Sequence, residues 1–216
     1  MDATPRDCTD DDRALVASAF SQIAERGWAR LSLAEAARAA GVPLAVARLR
    51  LPDRCALLMC FGGMADAHAL QGAATDGSPR DRLFDVLMRR IDMFQNHRAG
   101  VVALLQALPT DPATALMLGV ASRRSMAWML EGVGLSASFP LGLLRVNGLL
   151  AVWLWILRAW QRDTTDDLAP TMAALDQALA RAESLAHWLA PRAKVPPAEI
   201  PAAPLPSEHK GPDNAQ

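Results

Sequence analysis

The sequence predicts an all-α protein, an N-terminal helix-turn-helix domain of three helices followed by a helical bundle, and three observations support this. Apolar residues recur at spacings of three and four along most of the chain, which is the period of an amphipathic helix. Residues of high helix propensity, chiefly Ala, Leu, Arg, Met and Glu, dominate the composition. No stretch alternates apolar and polar residues as a half-buried strand does.

Local signals near the N-terminus predict one helix followed by a short one. An apolar stripe begins at Leu15, and Gly27 is the residue type that commonly follows the last turn of a helix. Ser32 followed by Glu35 predicts a capping box that opens a second helix, which closes at Gly41.

Prolines define the helices that follow. Pro43 starts a third, short helix that must end before Pro52. Asp53 then caps a longer helix that runs towards Gln71, and the pair at 78–79, Ser followed by Pro, starts another after a loop. Later breaks are predicted near Asn96 and at 109–112, 132–140 and 163–166.

Composition predicts the limits of the folded part. Seven prolines fall within 191–216, so this tail cannot bury enough apolar surface to offset its ordering entropy and is predicted to be disordered. The Asp-rich segment 1–11 is predicted to be disordered as well. A helix-turn-helix domain at 12–58 and a helical bundle at 59–190 remain.

Charge is balanced over the chain but concentrated locally. The net charge of −1 excludes a protein that coats nucleic acid or an acidic membrane by bulk charge alone. The segment 26–54 nevertheless holds six arginines against two carboxylates, a local excess of four positive charges. The planar fork of arginine suits phosphate, and such a focus is the electrostatic footprint that duplex DNA requires.

We expect a cytoplasmic chain without stable membrane insertion. The three cysteines form no metal-ligand pattern, and the acidic N-terminus lacks the apolar core of a signal peptide. The most hydrophobic stretch, 141–160, carries Arg145, Asn147 and Arg158. Its uninterrupted apolar part, 149–157, has nine residues and is too short to cross a bilayer, so we predict a buried helix.

The sequence carries no motif of an enzyme. The four histidines are far apart, and none lies in a metal-binding spacing. A Gly-rich phosphate loop and a Gly-x-Ser-x-Gly elbow are both absent. We therefore expect no catalytic residue, no bound metal and no cofactor.

Several features between residues 15 and 58 fall in one register: a helix ending in Gly27-Trp28, the stretch LSLAEAARAAGVP at 31–43, and LPDR at 51–54 followed by Leu57 and Leu58. This register resembles the DNA-binding domain of the TetR family of bacterial transcription regulators. The all-helical remainder is similar to that family's ligand-binding and dimerising domain, so the resemblance covers about 12–190. It implies a ligand-responsive homodimer, most simply a repressor, that binds a palindromic operator in double-stranded DNA.

The resemblance also implies contacts with the DNA backbone. Ser32 matches a hydroxyl that caps the first motif helix and touches a phosphate, and Arg54 matches a lysine that faces the backbone. Pro43 stands where the family has a capping Ser or Thr, and Arg48 where it has a phosphate-contacting Tyr.

The predicted recognition helix is apolar apart from its arginines. Because base edges are read by polar side chains, Arg48 and Arg50 are the candidates for guanine edges or phosphates. Leu44 and Ala45 can contact thymine methyl groups. The predicted DNA-binding residues are therefore Ser32, Pro43, Leu44, Ala45, Arg48, Arg50 and Arg54.

That apolar character leaves an alternative open. Lipid-binding proteins that assist ubiquinone biosynthesis have a TetR-like fold without DNA binding, and Gly27-Trp28 and the layout of the late helices resemble them too. Such a protein would bind lipid or an isoprenoid. In that group a terminal amphipathic helix meets the membrane, whereas the sequence after Trp188 is rich in proline and cannot supply one.

Soft and aromatic side chains in the bundle predict a pocket for a small apolar ligand that carries at most a carboxylate. The candidate lining residues are Met88, Met93, Met117, Met126, Met129, Trp128, Trp153 and Trp155.

The resemblance and the long final helices, at 141–160 and 165–189, predict a homodimer. The first of them is too apolar to show a full face to water, and a symmetric four-helix bundle would cover it. The stripe expected to contribute from the second helix is Met172, Leu175, Leu179, Ala182 and Ala186.

Overall fold

The computed structural model describes residues 9–72, 76–138 and 141–189, and these contain α-helices and two single 3₁₀ turns but no strand. The all-α prediction is thereby confirmed. The predicted disordered tail and the first eight residues lie outside the described residues. The helices are α1 (Asp10–Arg26), α2 (Leu33–Ala39), α3 (Leu44–Arg50), α4 (Arg54–Leu70), α5 (Pro79–Gln95), α6 (Arg98–Ala107), α7 (Pro112–Gly132), α8 (Leu141–Arg162) and α9 (Ala169–Leu189), with 3₁₀ turns at Trp28–Arg30 and Leu108–Thr110.

Helix α1 begins earlier than expected. Thr9 and Asp12 form a reciprocal capping box, in which the Thr9 N–H donates to Asp12 Oδ2 at 3.0 Å and the Asp12 N–H donates to Thr9 Oγ1 at 3.4 Å. The prediction of disorder over 1–11 is therefore wrong for residues 9–11, because these two side chains satisfy amide groups that an uncapped helix end leaves unpaired.

Most other helix boundaries are where the local signals predict them. Helix α1 ends before Gly27, and α3 ends before Pro52. Asp53 caps α4 by accepting a hydrogen bond from the Ala56 N–H at 2.7 Å, and Ser78 starts α5 with a capping box.

Helices α1 and α6 cross in very close contact. An ideal Cβ atom placed on Gly100 of α6 would lie 2.3 Å from the carbonyl oxygen of Phe20 in α1. Phe20 is buried, and its ring stacks on that of His97 at a centroid distance of 5.6 Å. The first helix is thus packed against the bundle, and α4 runs without a break through the boundary predicted between residues 58 and 59.

Helix α8 is buried on one side only, so the prediction of a buried helix is wrong for the other side. Its buried residues include Val146, Trp153 and Trp160, whereas Leu144 and Trp155 are more than half exposed. By length and composition α8 could span a membrane, and 39% of its apolar stretch is buried inside the fold. Helix α6 with its 3₁₀ turn, taken together with α7 as one bent span, also meets these criteria. Core helices of soluble proteins pass the same test.

Helix α9 packs on α5 and α8 within its own subunit. Leu175 and Leu179 are buried there, while Met172 and Ala182 are partly buried. The prediction that this stripe faces a second subunit is therefore wrong for Leu175 and Leu179, because their own subunit already covers them. The side chain of Ala186 lies outside the described residues.

The turn between α8 and α9 is organised by one buried carboxylate. Asp163, which is 4% exposed, accepts hydrogen bonds from the N–H and hydroxyl of Thr165 at 3.0 and 2.6 Å and from those of Thr171 at 3.0 and 2.6 Å. Burial by itself would raise the pKa of Asp163, but these hydrogen bonds outweigh it and lower the pKa to about 2.

Candidate nucleic-acid interface

A glycine turn sets the angle between α2 and α3. Gly41 has φ +70°, a conformation that glycine adopts without strain. The Val42 N–H reaches back to the Ala37 carbonyl at 2.9 Å and the Gly41 N–H to that of Arg38 at 3.2 Å, so the end of α2 closes in a Schellman arrangement. Val42 and Ala47 are buried beneath the turn. The sequence therefore fixes α3 against α2 as a helix-turn-helix.

Only half of the predicted capping box at the start of α2 is present. Ser32 Oγ accepts from the Glu35 N–H at 3.4 Å, but the Glu35 carboxylate pairs with Arg26 at 2.6 Å and caps nothing. Pro43 precedes α3 without a side-chain cap. A phosphate contact by Ser32 or Pro43 stays a prediction.

The exposed surface of α3 is largely apolar. Leu44 is 47% exposed and Leu49 is 81% exposed, and Ala45 and Arg48 are exposed beside them. The Arg48 guanidinium donates to the Pro52 carbonyl at 3.0 Å on the surface. Arg48 is thus an exposed charged side chain of α3, and its contact with DNA stays a prediction.

Arg50 is paired with α1, and its contact with a guanine edge or a phosphate stays a prediction. Its Nη1 atom lies 2.7 Å from Oδ2 of Asp12. Asp12 is buried, and the Arg50 side chain is one third exposed. A partly buried ion pair loses much when one partner is removed, so Arg50 fixes α3 onto α1.

Arg54 also has a structural role that sequence reasoning missed. It donates to the carbonyls of Leu31 and Ala29 at 2.6 and 3.1 Å, and its guanidinium lies 5.5 Å from the centre of the Trp28 ring. These contacts hold the 3₁₀ turn between α1 and α2. A phosphate contact by Arg54 stays a prediction, and it would share the guanidinium with these carbonyls.

The 3₁₀ turn is joined directly to α7. Trp28 is buried, and its indole Nε1–H donates to Asp111 Oδ2 at 3.0 Å. Asp111 also caps α7 through Thr114. Hydrogen bonds from the Thr114 hydroxyl and then from Trp28 hold the pKa of Asp111 below its usual value. Local sequence signals could not predict this hydrogen bond, because the two residues are 83 positions apart.

Several exposed basic side chains of the segment 26–54 have no ion-pair partner among the described residues. Arg30, Arg38 and Arg48 are exposed, and none forms an ion pair within the described ranges. Three of the six arginines of 26–54 are therefore exposed without an ion pair among the described residues, whereas Arg26 and Arg50 pair with Glu35 and Asp12.

The predicted pocket residues line neither of the two clefts described in this structure. Met126, Met129 and Trp153 are fully buried core, and Met88, Met93 and Met117 are partly buried. The placement of Trp128 and Trp155 in a pocket is wrong, because they are 61% and 55% exposed. One cleft of about 240 Å³ lies instead between α1, α2 and α3, and another of about 310 Å³ lies between α1 and α6.

A polar cluster that the sequence analysis missed lies beside Trp153. Arg90 of α5 is 3% exposed, and its Nη1 atom lies 3.0 Å from Oδ1 of Asp66 in α4. Burial raises the pKa of Asp66, against the opposing effects of Arg90 and of a hydrogen bond from Ser125. Arg90 lies three residues after Leu87 and four before Phe94, so its position on the apolar face of α5 is the sequence signal that could have located it.

No protein family model and no curated protein match this sequence. Solved structures share its fold. A TetR transcriptional regulator from Nitrosomonas europaea superposes with a TM-score of 0.61 at 20% identity, covering 80% of this chain and 98% of that chain. A TetR transcriptional regulator from Rhodococcus sp. RHA1 does so with a TM-score of 0.57 at 19% identity, covering 80% and 94%. The chain therefore has the fold of the TetR transcriptional regulators, all-α with an N-terminal helix-turn-helix.

Proposed function

We propose that this chain is a ligand-responsive transcription regulator of the cytoplasm, most simply a repressor, that binds a palindromic operator as a homodimer. The observation that carries this proposal is the exposed α3, fixed by the Gly41 turn, together with the exposed Arg30, Arg38 and Arg48, which form no ion pair among the described residues. In this proposal residues 12–58 read DNA and 59–190 bind the ligand and the second subunit.

The proposed mechanism is a shift between two populations of the dimer. Two α3 helices must lie about 34–36 Å apart to enter successive major grooves. A ligand that binds better to a dimer of another spacing lowers the DNA-competent population. The hydrogen bond between Trp28 and Asp111 supports this coupling, since it joins the helix-turn-helix to α7.

The first test is the salt dependence of DNA binding. We expect Arg48→Ala to weaken binding to all duplexes alike and to reduce the slope of log K against log salt by roughly one, because one phosphate contact is lost. The measurement is fluorescence anisotropy with a fragment of the protein's own promoter region and with an unrelated fragment. Arg124→Ala on the exposed surface of α7 is the matched control. An unchanged slope in Arg48→Ala would remove Arg48 from the interface.

The exposed face of α8 supplies the proposed dimer interface in place of the α9 stripe. Its residues Leu141, Leu144, Gly148, Ala151 and Trp155 are all exposed, and their spacing of three and four is that of a helix seam. Two such seams related by a two-fold axis would bury one another.

We expect Trp155→Arg to make the protein monomeric, because symmetry places the unpaired charge in the interface twice, at a cost of about 3–5 kcal/mol. Light scattering at micromolar concentration measures the mass. Trp128→Arg is the matched control, since Trp128 is 61% exposed on α7 and Trp155 is 55% exposed. A wild-type monomer, or a dimeric Trp155→Arg variant, would contradict this interface.

The exposed Leu44 and Leu49 favour a second candidate function, a lipid-binding protein that does not bind DNA. The cleft beside α3 supports it, because its lining is apolar except for Arg48. The discriminating experiment compares flotation with anionic phospholipid vesicles at physiological salt and gel shifts on genomic fragments. Vesicle binding without any gel shift of DNA would contradict the regulator function and support the lipid-binding function.

A further inference from the structure

The cleft between α1, α2 and α3 has a lining that is apolar except for one side chain, and its volume is about 240 Å³. The larger apolar residues of the lining and two of its alanines are Leu15, Leu33, Ala36, Leu44, Ala47 and Leu51. Leu15, Ala36, Ala47 and Leu51 are buried, whereas Leu44 is 47% exposed. An apolar molecule that enters the cleft would cover this surface from water, which is favourable.

Arg48 is the charged residue of the lining. Its Nη1 atom donates to the carbonyl of Pro52, which lines the same cleft, at 3.0 Å. This is its one hydrogen bond among the described residues, and it forms no ion pair there. Since a guanidinium carries five N–H donors, most of its donors remain for an anion at the cleft.

The neighbouring carboxylates already have partners of their own. Glu35 of α2 pairs with Arg26 at 2.6 Å, and Asp12 of α1 pairs with Arg50 at 2.7 Å. Asp53 caps α4 by accepting the Ala56 N–H at 2.7 Å. The positive charge at the cleft is therefore not compensated by an ion pair among the described residues.

These features select a ligand with an apolar chain and one negative charge. A carboxylate forms two parallel charge-assisted hydrogen bonds with a guanidinium, and its single charge matches that of Arg48, whereas a phosphate monoester carries about −1.5 to −2. At roughly 30 Å³ for each chain carbon, about the volume of a water molecule in the liquid, the cleft corresponds to a chain of about eight carbons. We propose that this cleft binds a medium-chain carboxylate, with its head group on Arg48 and its chain along the apolar lining.

The bound carboxylate competes with DNA. It occupies the guanidinium that the proposed function assigns to a DNA phosphate, and it neutralises the charge that the phosphate would need. This is a second ligand site, apart from the one proposed within 59–190, and it acts by direct competition instead of a change in dimer spacing. The competition rests on the proposed function, whereas the binding of the carboxylate does not.

Calorimetry on the full chain without DNA tests the site with three probes: octanoate, butanoate and 1-octanol. Octanoate is expected to bind at least about tenfold more tightly than butanoate, because each buried methylene raises affinity about fourfold. It is also expected to bind at least about tenfold more tightly than 1-octanol, which has no charge to pair with Arg48. Equal binding of butanoate or of 1-octanol, or no binding of octanoate, overturns the proposal.

Variants locate the site. Arg48→Met removes the charge and is expected to bind octanoate and 1-octanol equally to within about twofold. Ala34→Trp places a ring in the cleft from an exposed position of the lining and is expected to weaken octanoate binding at least about fivefold. Their controls, Arg124→Met on α7 and Ala39→Trp on α2, change exposed residues outside the lining and are expected to bind as the wild type does. Wild-type binding in either site variant overturns the site.

DNA binding tests the competition at constant ionic strength. Octanoate is expected to lower the affinity of the wild type for a promoter fragment and to leave that of Arg48→Met unchanged. An equal loss of affinity in both proteins overturns the competition. A wild type that binds no DNA contradicts the proposed function, while the calorimetry still decides whether the cleft binds a carboxylate, so either proposal can fail alone.

Discussion

Replacing Gly100 by alanine is expected to destabilise the protein by about 3 kcal/mol, at the upper end of the cost of overpacking. The added Cβ would lie 2.3 Å from the Phe20 carbonyl oxygen. A backbone atom cannot rotate away as a side chain can, so α1 and α6 must separate and the contacts of Phe20 and Val101, both buried, are weakened. Urea unfolding followed by circular dichroism measures the loss.

Gly119→Ala in α7 is the matched control. No heavy atom lies within 4 Å of an ideal Cβ at Gly119, so this variant is expected to be more stable by about 0.5–1 kcal/mol through the higher helix propensity of alanine. Equal effects at the two glycines would show that α1 and α6 do not approach so closely in solution.

Asp163→Asn is expected to lose about 2 kcal/mol of stability at neutral pH. Asparagine offers one acceptor oxygen, while its amide NH₂ faces the donors of Thr165 or Thr171. The pKa of Asp163 is about 2 in the folded state against 3.8 ordinarily, a difference worth about 2 kcal/mol.

The loss of stability caused by Asp163→Asn is expected to depend on pH. Because the folded-state pKa is lowered, the stabilisation by Asp163 is complete above about pH 4 and is lost as the pH falls towards 2. Urea unfolding of wild type and variant should therefore differ at pH 7 and converge near pH 2. Asp166→Asn, at an exposed position in the same turn, is expected to change stability by less than about 0.5 kcal/mol. A constant difference across this range would exclude the carboxylate charge as the cause.

Helix boundaries could be predicted because the residues that set them are local. Gly27, Pro52, Asp53 and Ser78 each act on backbone groups within one turn of their own position. Gly41 gives the turn of the helix-turn-helix by the same reasoning. The all-α fold class follows from these signals and from the spacing of apolar residues.

The roles of individual side chains could not be predicted, because distant residues decide them. Arg50 is occupied by Asp12, 38 positions away, and Arg54 by carbonyls more than 20 positions away. An apolar stripe with helical spacing shows that one face of the helix is covered, but it does not identify the element that covers it. The stripe of Leu175 and Leu179 is therefore compatible with either a neighbouring helix or a second subunit until the packing is known.

The link from Trp28 to Asp111 has a consequence for biosynthesis. Chains fold from the N-terminus as they leave the ribosome, yet the bond that ties the 3₁₀ turn to α7 joins residues 83 positions apart. Phe20 and Ile23 of α1 are buried in the finished protein, but α6, which packs on α1, is translated only when nearly half of the chain has been made. During that interval the apolar face of α1 lacks this partner and is open to a chaperone.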